Sequence, residues 1–295
     1  MDKRLKINWC PYSNFGDSLN PYYLKKSGVP FIWTHHTIAA KIGMIGSILS
    51  YISQPKSIVW GAGHAFLSQG GHKDTIYKAV RGPNSLKRLK QIGANVSNTL
   101  LGDPGLLLPR IYNPAIVKQY KLGIIPHIAD YAIYGDYVTS NKSKFENTLL
   151  IDPNKPCRDV EKFIDQVLSC EKIVSTCLHG IVCADAYQIP VVWSKIGDRL
   201  AGGEYKFIDY YESFGIHSPR KIEFVESEQI SIDRYDTSNL DLEGLWNARP
   251  WIDNLSEDYF VDVSVSDWRS HCYPSDYNYG DGDRYLFSDE RIKCT

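Results

Sequence analysis

Between residues 56 and 195, short apolar runs alternate with segments of helical period, and that alternation leaves the chain few architectures. "KSIVWGAG", "KLGIIPHIAD", "NTLLIDP", "EKIVST" and "PVVWSK" each carry a short apolar run bounded by turn or polar residues, and "TIYKAVRG" reads as another strand. Such runs mark strands buried on both faces. "PNSLKRLKQIG" opens at Pro83 or Asn84 and closes at Gly93, as a short amphipathic helix does. "CRDVEKFIDQVLSC" puts Val160, Phe163, Ile164, Val167 and Leu168 on one helical face, and "LHGIVCADAYQI" reads as another helix. Strands that alternate with helices build parallel sheets covered on both sides. The pattern runs once, passes a polar stretch near residues 110 to 120, and starts again. Two Rossmann-like domains are therefore expected, at 1–115 and 116–240, with a cleft between them. Residues 241–295 are aromatic and acidic, and read as a C-terminal extension that either wraps back or stays mobile. Near the start, "RLKINWC" reads as a strand, "SLNPYYLKKSG" as a broken helix and "SILSYISQ" as a helix end. "LGDPGLLLP" reads as a strand with a turn in front.

Composition removes several function classes. The formal net charge is −1, so no global basic field draws in nucleic acid or an anionic membrane. The seven cysteines are odd in number and scattered, with no C-x-x-C, which argues against a zinc ribbon or a thioredoxin-like site and for a reduced, intracellular setting. The opening residues lack the apolar core of a secretory signal. "TIAAKIGMIGSILSYI" is too short and too interrupted by Lys41 to span a bilayer, so no transmembrane segment is expected.

In open α/β sheets ligands collect at the carboxyl ends of strands. The polar residues there are Asn14 and Asp17, Gly61 to His64, Arg81, His127, and Ser175 to His179. Asp17 fits either a general base or a helix cap, and on its stretch alone the cap is favoured. "WGAGHAF" lacks the third glycine of a dinucleotide fingerprint and reads as a close-approach turn beside a ligand. Arg81, before Gly-Pro, suits a bidentate anion contact and a surface salt bridge about equally. "STCLHG" puts Ser175, Thr176 and His179 at a helix N-terminus, where free amides and the helix dipole favour an anion. A charged imidazole there needs an anionic neighbour. In "GGEYKFIDYY", Lys206 could hold a phosphate or pair with Asp209.

In their order, "NFGDSLNPYYL", "IVWGAG", "VRGPNSLKRL", "GDPGLLLP", "GIIPHIADY", "SCEKIVSTCLHGIVCADAYQIPVVW" and "KFIDYY" resemble the polysaccharide pyruvyl transferase family, in its exopolysaccharide ketal-pyruvate branch. The resemblance covers roughly residues 5 to 212. It implies two Rossmann-like domains in a GT-B-like arrangement. It also implies transfer of the enolpyruvyl group of phosphoenolpyruvate onto two hydroxyls of a hexose, with release of phosphate. The acceptor would be a glycan or lipid-linked oligosaccharide met at a cytoplasmic membrane face. No metal or other cofactor is implied, phosphoenolpyruvate being the donor substrate. The family's residues fall on Asp17, Arg81 and His179. One departure is Cys177, where some members have arginine; Lys206, Arg199 and Arg110 are the candidate replacements. On this basis His179 is assigned as general acid and Asp17 as base, in roles that can be exchanged. Arg81 and the amides after Ser175 and Thr176 would hold the anion. Lys206, Asp209, Tyr210, Asn14 and His127 would make further substrate or loop contacts. The rivals are a GT-B-type sugar-nucleotide-dependent glycosyltransferase and a non-catalytic carbohydrate-binding protein.

Overall fold

The computed structural model describes residues 2–263, apart from 11–13, 37, 67–69, 155–158, 199 and 201. The first sheet takes β1 (Asp2–Asn8), β2 (Phe31–Trp33), β3 (Ile42–Gly43), β4 (Ile58–Trp60), β5 (Ile76–Val80) and β6 (Leu100–Leu101). The second takes β7 (Leu122–Ile125), β8 (Thr148–Leu150), β9 (Ile173–Ser175), β10 (Val191–Ser194) and β11 (Lys221–Ile222). A last strand, β12 (Phe260–Val263), returns to the first sheet and pairs antiparallel with β1. The helices are α1 (Phe15–Lys26) after β1, α2 (Pro83–Gln91) after β5, α3 (Tyr131–Ser140), α4 (Val160–Leu168), α5 (Leu178–Ala186) after β9, α6 (Tyr205–Glu212) after β10, and α7 (Leu242–Asn247).

The first sheet runs β12-β1-β3-β4-β5-β6, with β2 beside β1. The second runs β11-β10-β9-β7-β8 and is parallel throughout. Its chain order reverses between β7 and β9. The path steps from β7 to β8 on one side, then crosses to β9, β10 and β11 on the other. At such a switch the loops leaving neighbouring strands diverge and open a crevice at the strands' carboxyl ends. Ile124 in β7 lies level with Leu150 on one side and Val174 on the other, so the buried apolar runs stack in register.

"SILSYISQ" ends no helix and holds a 3-10 turn at Leu49–Tyr51, and two elements beside the site also depart from the sequence expectation. Residues 15–26 form one continuous helix rather than a broken one. Pro21 lacks the N–H that would meet the Asp17 carbonyl. The Asn20 side-chain amide donates to that carbonyl instead, at 3.1 Å. Asn20 also donates to the Ile45 carbonyl at 3.0 Å and accepts the Ile45 N–H at 2.9 Å, which fixes α1 to the loop after β3. The second departure is "GDPGLLLP", which enters a 3-10 helix over Pro104–Arg110 and not a strand. Pro104 and Pro109 have no ladder donor, and Asp103 caps the turn by accepting the Gly105 N–H at 2.8 Å. The strand there is β6, ahead of the turn.

The largest apolar cluster draws on both sheets, joining Ile7 and Trp60 to Ile173, Val191 and Trp193. Phe15 at the start of α1 stacks on Phe163 of α4 with ring centroids 4.0 Å apart. The two halves thus share a continuous core. The extension, left open from sequence, returns to the first sheet as far as it is described. Trp60 donates to the Leu245 carbonyl at 2.9 Å and packs edge-on against Trp251. No helix among the described residues is long and apolar enough to cross a membrane.

Candidate active site

The candidate side chains lie in segments that follow parallel strands: Arg81, Asp103 and His127 directly after β5, β6 and β7, His179 in the first turn of the helix after β9, and Asp17 and Lys206 in the helices that follow β1 and β10. Both sheets contribute. Helices α1 and α5 pack on each other, and α5 packs on the 3-10 turn behind β6.

Asp17 occupies the first turn of α1, where Asn14, not Asp17, is the cap. Asn14 Oδ1 accepts the Asp17 N–H at 2.9 Å, and the Asn14 amide donates to Asp17 Oδ2. Burial pushes the Asp17 carboxyl up to about 7. The Asn14 hydrogen bond and the positive fields of His179 and Lys206 oppose the rise. Asp17 is therefore poised to give or take a proton near neutral pH.

His179 lies in the first turn of α5, and its ring rests on Gly16. A Cβ built on Gly16 would stand 2.1 Å from His179 Nδ1, so no residue but glycine leaves room for the ring. The opposite nitrogen, Nε2, is 3.5 Å from Asp103 Oδ2. Asp103 is fully buried. It is the anionic neighbour that a histidine at a helix N-terminus requires, supplied by the chain itself. Gly105 brings the two together, since a Cβ there would meet Val182 of α5 at 2.7 Å.

Lys206 opens α6 and makes no ion pair among the described residues. Burial lowers its pKa. Arg81 adds to that shift, while Cys177, Asp17 and Asp130 oppose it. His127 accepts the Ala129 N–H at 3.2 Å; burial and the Lys206 charge push its pKa down to about 4. The imidazole is thus neutral at pH 7, a hydrogen-bonding group and not a cation.

The remaining residues expected to bind substrate lie beneath this surface. Arg81 and Asp209 are both fully buried and form an ion pair at 3.1 Å. Arg81 also donates to the His64 carbonyl at 2.6 Å and to Ser47 Oγ at 2.9 Å. Asp209 Oδ1 accepts the Asn84 and Ser85 N–H groups at 3.0 Å each, and Oδ2 accepts the Ser85 hydroxyl at 2.7 Å. An aspartate from α6 therefore caps α2. Ser175 Oγ donates to the Ile125 or Cys177 carbonyl, each 2.9 Å away, and accepts the Cys177 N–H at 3.0 Å. Thr176 Oγ1 accepts the His127 N–H at 2.7 Å. The Tyr210 hydroxyl donates to Asp185 at 2.8 Å. The glycine turn after β4 is approached by protein rather than left open for a ligand. A Cβ on Gly61 would reach Pro104 at 2.0 Å, and one on Gly63 would reach the Arg81 guanidinium at 2.4 Å. Arg110 pairs with Glu243 at 2.8 Å and lies over Trp246, so it is committed elsewhere. Arg199 lies outside the described residues.

Parallel sheets with polar residues gathered at their carboxyl ends place the chain in the Rossmann-like α/β class. The polysaccharide pyruvyl transferase family model matches residues 79–195, from β5 to β10. An uncharacterized protein of Acanthamoeba polyphaga mimivirus is 35% identical over 175 residues, which is 58% of this chain and 59% of the relative. The succinoglycan biosynthesis protein ExoV of Rhizobium meliloti is 25% identical over 219 residues, 72% of this chain and 65% of the relative. The chain thus spans less than two thirds of the length of either relative. No solved structure matches it.

Proposed function

We propose that this chain transfers the enolpyruvyl group of phosphoenolpyruvate onto two hydroxyls of a hexose in a glycan, forming a pyruvate ketal and releasing phosphate. The observation that carries the reading is the meeting of three groups at the carboxyl ends of the two sheets. They are a carboxyl that ionises near neutrality (Asp17), an imidazole backed by a carboxylate (His179) and a cation with no ion-pair partner among the described residues (Lys206).

Of the two exchangeable roles, the geometry favours Asp17 as acid and His179 as base. Protonated Asp17 gives its proton to the methylene carbon of phosphoenolpyruvate. Positive charge develops at the adjacent carbon. A sugar hydroxyl bonds to that carbon while His179 takes the hydroxyl proton. Phosphate then leaves with the proton from His179. The second hydroxyl closes the ring, and its proton restores Asp17. Lys206 holds the donor's anionic group, and its charge offsets what develops as phosphate departs. The field of Lys206 is felt at Cys177, where some family members carry arginine, which supports Lys206 as the replacement cation. Asn14 and His127 line the approach. Arg81, Asp209, Ser175 and Thr176 hold the framework.

Calorimetric titration with phosphoenolpyruvate tests the anion assignment. Lys206→Met should weaken binding by about tenfold or more, the loss typical of a charge-assisted hydrogen bond. Unchanged affinity would move the anion to another cation.

A further inference from the structure

We propose that Asp103 is a positioning residue that decides which nitrogen of His179 faces the reacting groups. The inference rests on the reading of His179 as base. Asp103 Oδ2 and His179 Nε2 lie 3.5 Å apart, and neither has a hydrogen-bond partner among the described residues although both are buried. The other oxygen, Oδ1, accepts the Gly105 N–H, so the carboxylate cannot turn away without uncapping the 3-10 turn. Tyr23 of α1 donates to the Pro104 carbonyl at 2.5 Å and fixes the same turn from the far side.

An ionised carboxylate only accepts hydrogen bonds. Its neighbour therefore has to carry the imidazole proton on Nε2. That leaves the lone pair on Nδ1, the nitrogen lying against Gly16 next to Asp17. Asp103 thus presents a basic nitrogen toward α1, and its charge compensates the imidazolium formed when a sugar hydroxyl gives up its proton. A histidine with the proton on Nδ1 would offer that side a donor and could not act as the base.

Asp103→Asn separates position from charge. Asparagine keeps Oδ1 for the Gly105 N–H and replaces Oδ2 with an amide donor. Nε2 then has to accept, and the proton moves to Nδ1. The first readout is nitrogen NMR of histidine-labelled full chain, with His179 assigned by loss of its signals in His179→Gln. Nε2 should be protonated in the wild type and Nδ1 in Asp103→Asn. The second readout is kinetic. Turnover should fall at least about 100-fold, the upper range for loss of such an outer-shell partner, while KM for phosphoenolpyruvate changes less than about threefold. The same tautomer in both proteins, or a raised KM at unchanged turnover, would overturn the proposal. The NMR readout needs no phosphoenolpyruvate. A tautomer change in a chain without pyruvyl transfer would uphold the Asp103–His179 pairing and sink the reaction assigned to it. Should Asp103→Asn fail to fold, the wild type decides alone, since a proton on Nδ1 there is incompatible with the proposal.

Discussion

Burial raises the Asp17 carboxyl from 3.8 to about 7, and does the same to Asp185, whose rise is opposed by the Tyr210 hydroxyl. In the unfolded chain both ionise near pH 4. Between pH 4 and about 7 the folded chain therefore keeps protons that the unfolded chain has released. Stability falls as pH rises through that window and levels off above it. Each group accounts for a loss on the order of 4 kcal/mol. Asp185→Asn removes one of them, so the variant should gain on the wild type at pH 8 relative to pH 4.5 in urea unfolding. A difference between the two proteins that does not vary with pH would show that Asp185 ionises normally in the fold. Single residues were partly legible in the sequence. Asp17 and His179 stand out as polar residues in the turns after apolar runs, and Lys206 as a cation among aromatics after a glycine pair. Asp103 does not, because "LGDPGLLLP" reads as a strand that follows its turn, whereas β6 precedes the turn. On that reading Asp103 stands at the entrance of a strand rather than at its carboxyl end, where ligand-facing residues gather.

At the scale of elements, α2 and α6 depend on each other. Asp209 of α6 satisfies amides at the N-terminus of α2 and neutralises Arg81 behind β5, all out of contact with water. Removing one partner of a buried pair strands the other charge, at a cost of about 3–5 kcal/mol. Asp209→Ala should therefore lower stability by about that amount, and denaturant unfolding is the check. A change below about 1 kcal/mol would mean that water reaches Arg81 and that the pair holds nothing together. The sequence left Arg81 balanced between a surface bridge and an anion contact. Neither reading anticipated a partner 128 residues away, because nothing local marks it. The continuity of α1 was hidden for a related reason. Pro21 is visible in the sequence, but the compensating Asn20 amide takes its orientation from Ile45 on another segment. The strands were more legible, since β4, β5, β7, β8, β9 and β10 are each built on a short, largely apolar segment whose length and flanks are local properties.

In the whole molecule, two sheets turn their carboxyl ends toward shared helices, and the site forms where the second sheet reverses its strand order. Alternation in the sequence called for parallel sheets but does not encode strand order. The switch between β7 and β9, which brings together the segments after neighbouring strands that carry His127 and His179, became visible only in the fold. The same holds for β12, whose pairing with β1 ties the end of the described chain to its start. The proposed activity joins pyruvate to a sugar. It is tested by incubating the purified chain with phosphoenolpyruvate and a panel of hexosides, reading phosphate release and product mass together. Pyruvyl transfer requires acceptor-dependent phosphate release and a product heavier than the acceptor by pyruvate minus water, both lost in Asp17→Asn and His179→Gln. No acceptor-dependent phosphate release by the wild type would overturn the proposed transfer, and ketal formation that persists in both variants would overturn the roles of Asp17 and His179.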